Sequence, residues 1–115
     1  METSKHFQSI QPFQVENLLS CGNEPSIIDV RTPAEFFYRR IPTAKLVPLD
    51  QLKRANIELH TDDAVIIVCE HGIRSAVGAQ LLAAMGLENV SNMEGGMASY
   101  HGPCLTEVGR PELST

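Results

Sequence analysis

Cysteine is scarce in this chain, with three in 115 residues: Cys21, Cys69 and Cys104. An odd, widely spaced set excludes a disulfide framework, and no pair has the C-x2-C spacing of a metal knuckle. Free thiols of this kind suit a reducing, cytoplasmic setting. Long apolar runs are also missing. Nothing approaches the ~18–20 residues needed to span a bilayer. The opening Met1-Glu2-Thr3-Ser4-Lys5-His6 lacks the apolar core of a signal segment. Positive charge is in deficit: 9 Lys and Arg face 14 Asp and Glu, for a net charge of −5. That balance argues against nucleic-acid or membrane-surface partners. His6, His60, His71 and His101 have no ligand-like spacing, so neither a metal nor a cofactor is expected. There is no internal repeat and no low-complexity segment.

What remains is an ordinary globular composition, 43% hydrophobic and 20% charged. The length fits one domain over 1–115, with a core over about 6–101 and a partly mobile tail over 102–115. Phe7 to Ile10 reads as a short edge strand. Pro12 to Leu19 reads as a helix with proline near its start. Ser26 to Val30 is a β-branched, buried strand. Thr32-Pro33-Ala34-Glu35 carries the signals of a helix start: an N-cap threonine, proline at the first helical position and a glutamate that reaches back. The helix should cover Pro33 to Tyr38, with Arg31 and Glu35 paired near its start. Lys45 to Pro48 reads as a strand, Leu49 to Ala55 as a helix and Asn89 to Asn92 as a last strand. Glu94-Gly95-Gly96 reads as a turn, followed by a brief helix over Met97 to His101. Strands alternating with helices imply an α/β domain with a mainly parallel sheet. Ligands of such sheets bind beyond the carboxyl ends of the strands, where Asp29 and Cys69 both fall.

The chemistry concentrates in Val65-Ile66-Ile67-Val68-Cys69-Glu70-His71-Gly72-Ile73-Arg74-Ser75. A β-type run ends at a cysteine, and a short loop leads into a helix over Ser75 to Met85, closed by Gly86. A strand-to-helix junction aims several backbone N–H groups at one point and makes an anion site. A cysteine at its centre is favoured as the thiolate, the nucleophilic form. Arg74 adds a permanent charge and a fork of donors. A sulfur nucleophile that handles an anionic group suits this position. A buried structural cysteine is the competing reading.

Taken in order, Asp29-Val30-Arg31-Thr32-Pro33-Ala34-Glu35-Phe36, Ile41-Pro42-Thr43-Ala44, Cys69 to Ser75 and Glu94-Gly95-Gly96 resemble a single-domain rhodanese, a thiosulfate sulfurtransferase-like family. The resemblance implies the rhodanese α/β fold, a three-layer domain with its mainly parallel central sheet flanked by helices, and a persulfide on Cys69. Sulfane sulfur would come from thiosulfate or a persulfide and pass to cyanide or a thiol, with a sulfur-relay protein left open as a partner. Glu70, His71, Gly72, Ile73, Arg74 and Ser75 would form the substrate loop, supported by Asp29, Arg31 and Glu35. Two departures stand out. Arg39-Arg40 and Thr43 replace the family's usual residues around Ile41-Pro42, and Tyr100 stands where tryptophan is common. Arg39 and Arg40 read as solvated charges; Cys21 and Cys104 read as structural or incidental, with Cys104 the better candidate for a resolving thiol. Glu70 either repels a dianionic donor or turns outward to solvate the rim.

Two other functions use the same parts. A phosphatase or arsenate reductase of related fold also needs cysteine, an N–H cradle and arginine. It has five residues between the cysteine and the arginine, whereas here there are four: Glu70, His71, Gly72 and Ile73. A non-catalytic binding module would need neither Cys69 nor Arg74.

Overall fold

The computed structural model describes residues 6–55, 57–60 and 62–106. Its elements are β1 (Gln8–Ile10), α1 (Pro12–Ser20), β2 (Ser26–Asp29), α2 (Pro33–Tyr38), β3 (Arg39–Arg40), β4 (Lys45–Leu46), a 3-10 turn (Leu49–Gln51), β5 (Ala64–Val68), α3 (Ile73–Ala84), β6 (Asn89–Met93), a second 3-10 turn (Gly96–Ser99) and β7 (Leu105–Thr106). Five strands form one parallel sheet in the order β1-β6-β5-β2-β4.

β5 lies at the centre, and four of its five residues are buried. A parallel strand covered on both faces reads as a continuous apolar run rather than an alternating one. Its side chains still divide by parity. Val65 and Ile67 pack with Ile28, Leu52, Ala79 and Leu82 on the α3 side. Ile66 and Val68 pack with Val15, Met93, Met97 and Tyr100 on the other. Each face therefore buries its own apolar layer, which fixes the register of β5 against a one-residue slip. Asp29 pairs with Val68 in that register, so β2 and β5 end side by side and the Cys69 loop emerges next to Asp29.

The capping box forms at the start of α2. Glu35 N–H donates to Thr32 Oγ1 at 3.2 Å, Thr32 N–H donates to Glu35 Oε1 at 2.9 Å, and Pro33 holds the first helical position. Elsewhere the elements are shorter than the sequence suggests. The segment after Pro48 closes only a 3-10 turn. It offers one fully buried anchor, Leu52, and a few residues cannot hold an α-helix without a buried stripe. The last short helix is likewise a 3-10 turn, over Gly96–Ser99. β4 runs only to Leu46; Val47 N–H makes the last bond to β2, on the Asp29 carbonyl, and Pro48 has no N–H with which to continue. Part of the expected tail is built in, since Leu105–Thr106 pairs antiparallel with Arg39–Arg40. The rest of that tail, 107–115, lies outside the described residues.

Among the described residues, no helix is long and apolar enough to cross a membrane.

Candidate active site

The cradle around Cys69 follows from its place in the chain. β5 delivers the residue to the sheet's carboxyl edge with 1% of its surface exposed. Gly72 caps α3 in the left-handed region, at φ 91, where a side chain is strained. That turn brings two backbone donors onto the sulfur: Gly72 N–H at 3.1 Å and Ser75 N–H at 3.2 Å from Sγ. The loop is also held from below. Met97 N–H donates to the Cys69 carbonyl at 2.8 Å, and Ala98 N–H to the Glu70 carbonyl at 2.9 Å. Gly96 (φ 64) makes this approach possible, because a Cβ there would fall on both carbonyls. The Glu94-Gly95-Gly96 turn thus works as the floor of the loop.

Two buried side chains complete the cradle. Ser75 is fully buried, and its hydroxyl lies 3.2 Å from Sγ and 2.5 Å from Asn92 Oδ1. Asn92 Nδ2 donates to the Gly72 carbonyl at 3.2 Å. Asn92 is absent from the residues the sequence singles out. Its signal was an amide side chain in the strand expected over Asn89 to Asn92; in the fold it is buried, opposite Ile67 of the strand that leads to Cys69.

Charged groups flank the loop in an arrangement the sequence does not suggest. The expected Arg31–Glu35 pair does not form. Arg31, 2% exposed, forks onto Asp29 through Nε (2.9 Å) and Nη2 (2.8 Å), donates to the Arg39 carbonyl at 2.6 Å and reaches Glu70 at 3.2 Å. Burial opposes its charge, but the bonds and charge of Asp29 and Glu70 outweigh that and raise its pKa. Glu35 pairs instead with Arg74, which grips both carboxylate oxygens at 2.8 and 2.9 Å. The Arg74 bond pulls the Glu35 carboxyl down to about 2. Each acid took the partner that the folded sheet placed within reach. Glu70 shares Arg31 with Asp29, so one guanidinium faces two carboxylates and the group as a whole keeps a negative charge beside the loop.

Arg39 and Arg40 are not solvated charges. Arg39 donates to the Met97 carbonyl at 3.0 Å and the Tyr100 carbonyl at 2.7 Å, tying β3 to the turn beneath the loop. The Arg40 guanidinium lies over the rings of Phe36 (5.1 Å) and Phe37 (5.7 Å), a cation–π contact. Both positions are half-buried. A cavity of about 280 Å³ opens beside the loop, lined by Arg31, Glu35, Tyr38, Arg39 and Glu70. His71 and Ile73 stand exposed on the loop, Ile73 with 75% of its surface in solvent. Cys21 is exposed and Cys104 half-buried. Burial pushes the Cys104 thiol up, which works against a resolving role. No group of three or more His, Cys, Asp or Glu among the described residues is placed to hold a metal ion.

An α/β domain that buries one cysteine sulfur under helix N-terminal N–H groups, at the carboxyl edge of a parallel sheet, belongs to the cysteine-loop class. Within that class, the pattern of the Rhodanese-like domain matches residues 12–102, and the chain belongs to the rhodanese family. A Bacillus subtilis protein, YqhL, is 38% identical over 76 residues, 66% of this chain and 60% of its own length. The thiosulfate sulfurtransferase GlpE of Pseudoalteromonas translucida is 30% identical over 84 residues, covering 73% of this chain and 80% of GlpE. A rhodanese-like domain protein from Staphylococcus aureus, known as a crystal structure, superposes with a TM-score of 0.76 at 33% identity, over 84% of this chain and 93% of that one.

Proposed function

We propose that this protein is a sulfurtransferase that carries a sulfane sulfur on Cys69. The carrying observation is the burial of Sγ under two fixed backbone donors, Gly72 N–H and Ser75 N–H. In the first half-reaction the Cys69 thiolate attacks the outer sulfur of thiosulfate or a persulfide. A Cys69 S–S bond forms, the donor's S–S bond breaks, and sulfite or a thiolate leaves with the bonding pair. In the second, cyanide or a thiolate takes the outer sulfur and Cys69 leaves as thiolate. The outer sulfur carries the negative charge in between, and loop N–H groups, already oriented, stabilise it without reorganisation. The substrate loop is Glu70, His71, Gly72, Ile73, Arg74 and Ser75, with Asp29, Arg31 and Glu35 in support.

The cavity beside the loop, lined by Arg31, Arg39 and Glu70, offers a place beside the site for a donor or acceptor, small or presented by a relay protein. Cysteines of the kind described here stay free in a reducing compartment, and the cytoplasm is the setting proposed. Phosphatase chemistry fits less well. The loop is one residue shorter, and the nearby acids Glu70 and Glu35 are both held by arginines, so neither is free to protonate a leaving group.

The test is direct. Incubation with thiosulfate is expected to add one sulfur atom to the peptide bearing Cys69, and cyanide to remove it. Cys69→Ser should neither load nor turn over. Full thiosulfate:cyanide activity in that variant would overturn the proposal, and an unloaded Cys69 in the wild-type chain would favour a phosphatase or a binding module.

A further inference from the structure

The floor of the Cys69 loop is slight for what it carries. It is one 3-10 turn over Gly96–Ser99, entered through Gly95. Gly95 and Gly96 both hold positive φ, at 76 and 64, and glycine has the most backbone freedom to lose on ordering. Within the turn, Tyr100 N–H bonds the Met97 carbonyl at 3.1 Å, and a single 3-10 bond holds a turn weakly. Arg39 adds a clamp from a distant part of the chain. Its Nη1 donates to the Met97 carbonyl at 3.0 Å and its Nη2 to the Tyr100 carbonyl at 2.7 Å, so one planar fork spans both ends of the turn.

Arg39 is itself anchored. It pairs with Thr106 in the β3–β7 ladder, and its carbonyl accepts Arg31 Nη2 at 2.6 Å. The buried Asp29–Arg31 pair therefore reaches the loop by two routes. One is direct, from Arg31 Nη1 to Glu70. The other runs through Arg39 to the turn, whose Met97 and Ala98 N–H groups hold the Cys69 and Glu70 carbonyls at 2.8 and 2.9 Å. The residue that makes this second route stands in the segment where the chain departs from the family's usual residues.

We infer that Arg39 is a positioning residue: by clamping the Gly96–Ser99 turn it fixes the height of the Cys69 loop, and with it the place of Sγ against the Gly72 and Ser75 N–H groups during sulfur transfer. The role deepens the reading of Cys69 as a sulfur carrier and rests on it. Arg39 needs no contact with the donor for this, because both arms of its fork are spent on backbone carbonyls.

The experiment compares the full wild-type chain with Arg39→Ala and Arg39→Lys. Hydrogen exchange at the Met97 and Ala98 amides is read first, with no sulfur donor present. In Arg39→Ala it should quicken about tenfold, while the Ile66 and Ile67 amides of β5 keep their protection. For transfer from thiosulfate to cyanide, kcat should fall about ten- to a hundredfold, the scale on which misplacement near reacting atoms acts, with KM nearly unchanged. Arg39→Lys keeps the charge and loses the fork, so it should keep only part of the rate. Arg39 lines the cavity beside the loop, so the space vacated in Arg39→Ala opens to solvent. Methylguanidinium at tens of millimolar, far below the range that unfolds small domains, should restore kcat more than methylammonium of equal charge.

Unmoved amides or an unmoved kcat in Arg39→Ala would overturn the inference. So would a raised KM at constant kcat, or as large a restoration by methylammonium, because either would make Arg39 a donor-binding charge. Should Arg39→Ala not fold, Arg39→Lys decides: a several-fold loss of kcat supports the clamp, and wild-type kinetics refute it. A wild-type chain that takes up no sulfur sinks the sulfurtransferase reading and this role with it. A wild-type chain that loads, beside an Arg39→Ala chain that turns over as fast, sinks this role alone.

Discussion

Arg31 meets Asp29 at 2.8 Å with side chains 2% and 0% exposed, and Arg74 meets Glu35 at 2.8 Å with side chains 38% and 33% exposed. The two pairs flank one loop at one separation, yet distance does not set what each contributes. Burial does. The Asp29–Arg31 pair has lost its water and is repaid by further bonds to the Arg31 backbone N–H, the Arg39 carbonyl and Glu70. Removing one partner would strand a charge in the interior. The Arg74–Glu35 pair keeps much of its hydration, and exposed pairs are worth ~0–1 kcal/mol. Its use is geometric, since it ties the first turn of α3, which carries the Ser75 N–H donor, to α2.

Breaking the buried pair should therefore give the largest effect. Asp29→Ala is expected to lower the unfolding free energy by about 3–5 kcal/mol in urea titration. A loss below about 1 kcal/mol would mean that the pair is no stronger than its exposed counterpart. Arg74→Lys tests the other half of the comparison. It keeps the charge and loses the fork. Sulfur transfer should fall by about one to two orders of magnitude, roughly 1.4–2.8 kcal/mol of transition-state stabilisation, with the melting midpoint nearly unchanged. Equal kinetics, or a large loss of stability, would merge the two pairs into one class.

The smallest effect is a pH dependence. Pairing with Arg74 holds the Glu35 carboxyl at about 2 against an ordinary 4.5. A carboxyl lowered on folding stabilises the folded chain fully above the unfolded value, and that contribution drains as pH falls from 4.5 toward about 2. Solvent screening limits it to about 1 kcal/mol or less. Glu35→Gln should make the stability curve flatter over this window than in the wild type. A variant curve parallel to the wild type down to pH 2 would show that the clamp has no electrostatic worth.

Much of this molecule was legible in its sequence because the deciding interactions are local. The Thr32–Glu35 capping box spans three residues, the apolar run of β5 needs no partner to be recognised, and the four-residue spacing from Cys69 to Arg74 defines the loop by itself. The alternation of strand and helix, read together, required a parallel sheet with its site at the carboxyl edge. The extent of the weaker elements was not legible. A run such as Leu49 to Ala55 carries helical residues, but only packing decides how many turns are held, and here it holds one 3-10 turn.

Beyond the local Asp29–Arg31 and Thr32–Glu35 contacts, partners were decided by the tertiary structure. Arg31 and Glu35 stand four apart at a helix start, and local rules pair them. The sheet instead brings Glu70 to Arg31 and Arg74 to Glu35, each across 39 positions. Arg39 found its acceptors 58 and 61 positions away, and Asn92 reached Ser75 across 17. A sequence states which groups carry charge or donors. Which of them meet depends on strand order and on burial, because desolvation makes a chain satisfy its polar groups with whatever the packed layers place within about 3 Å.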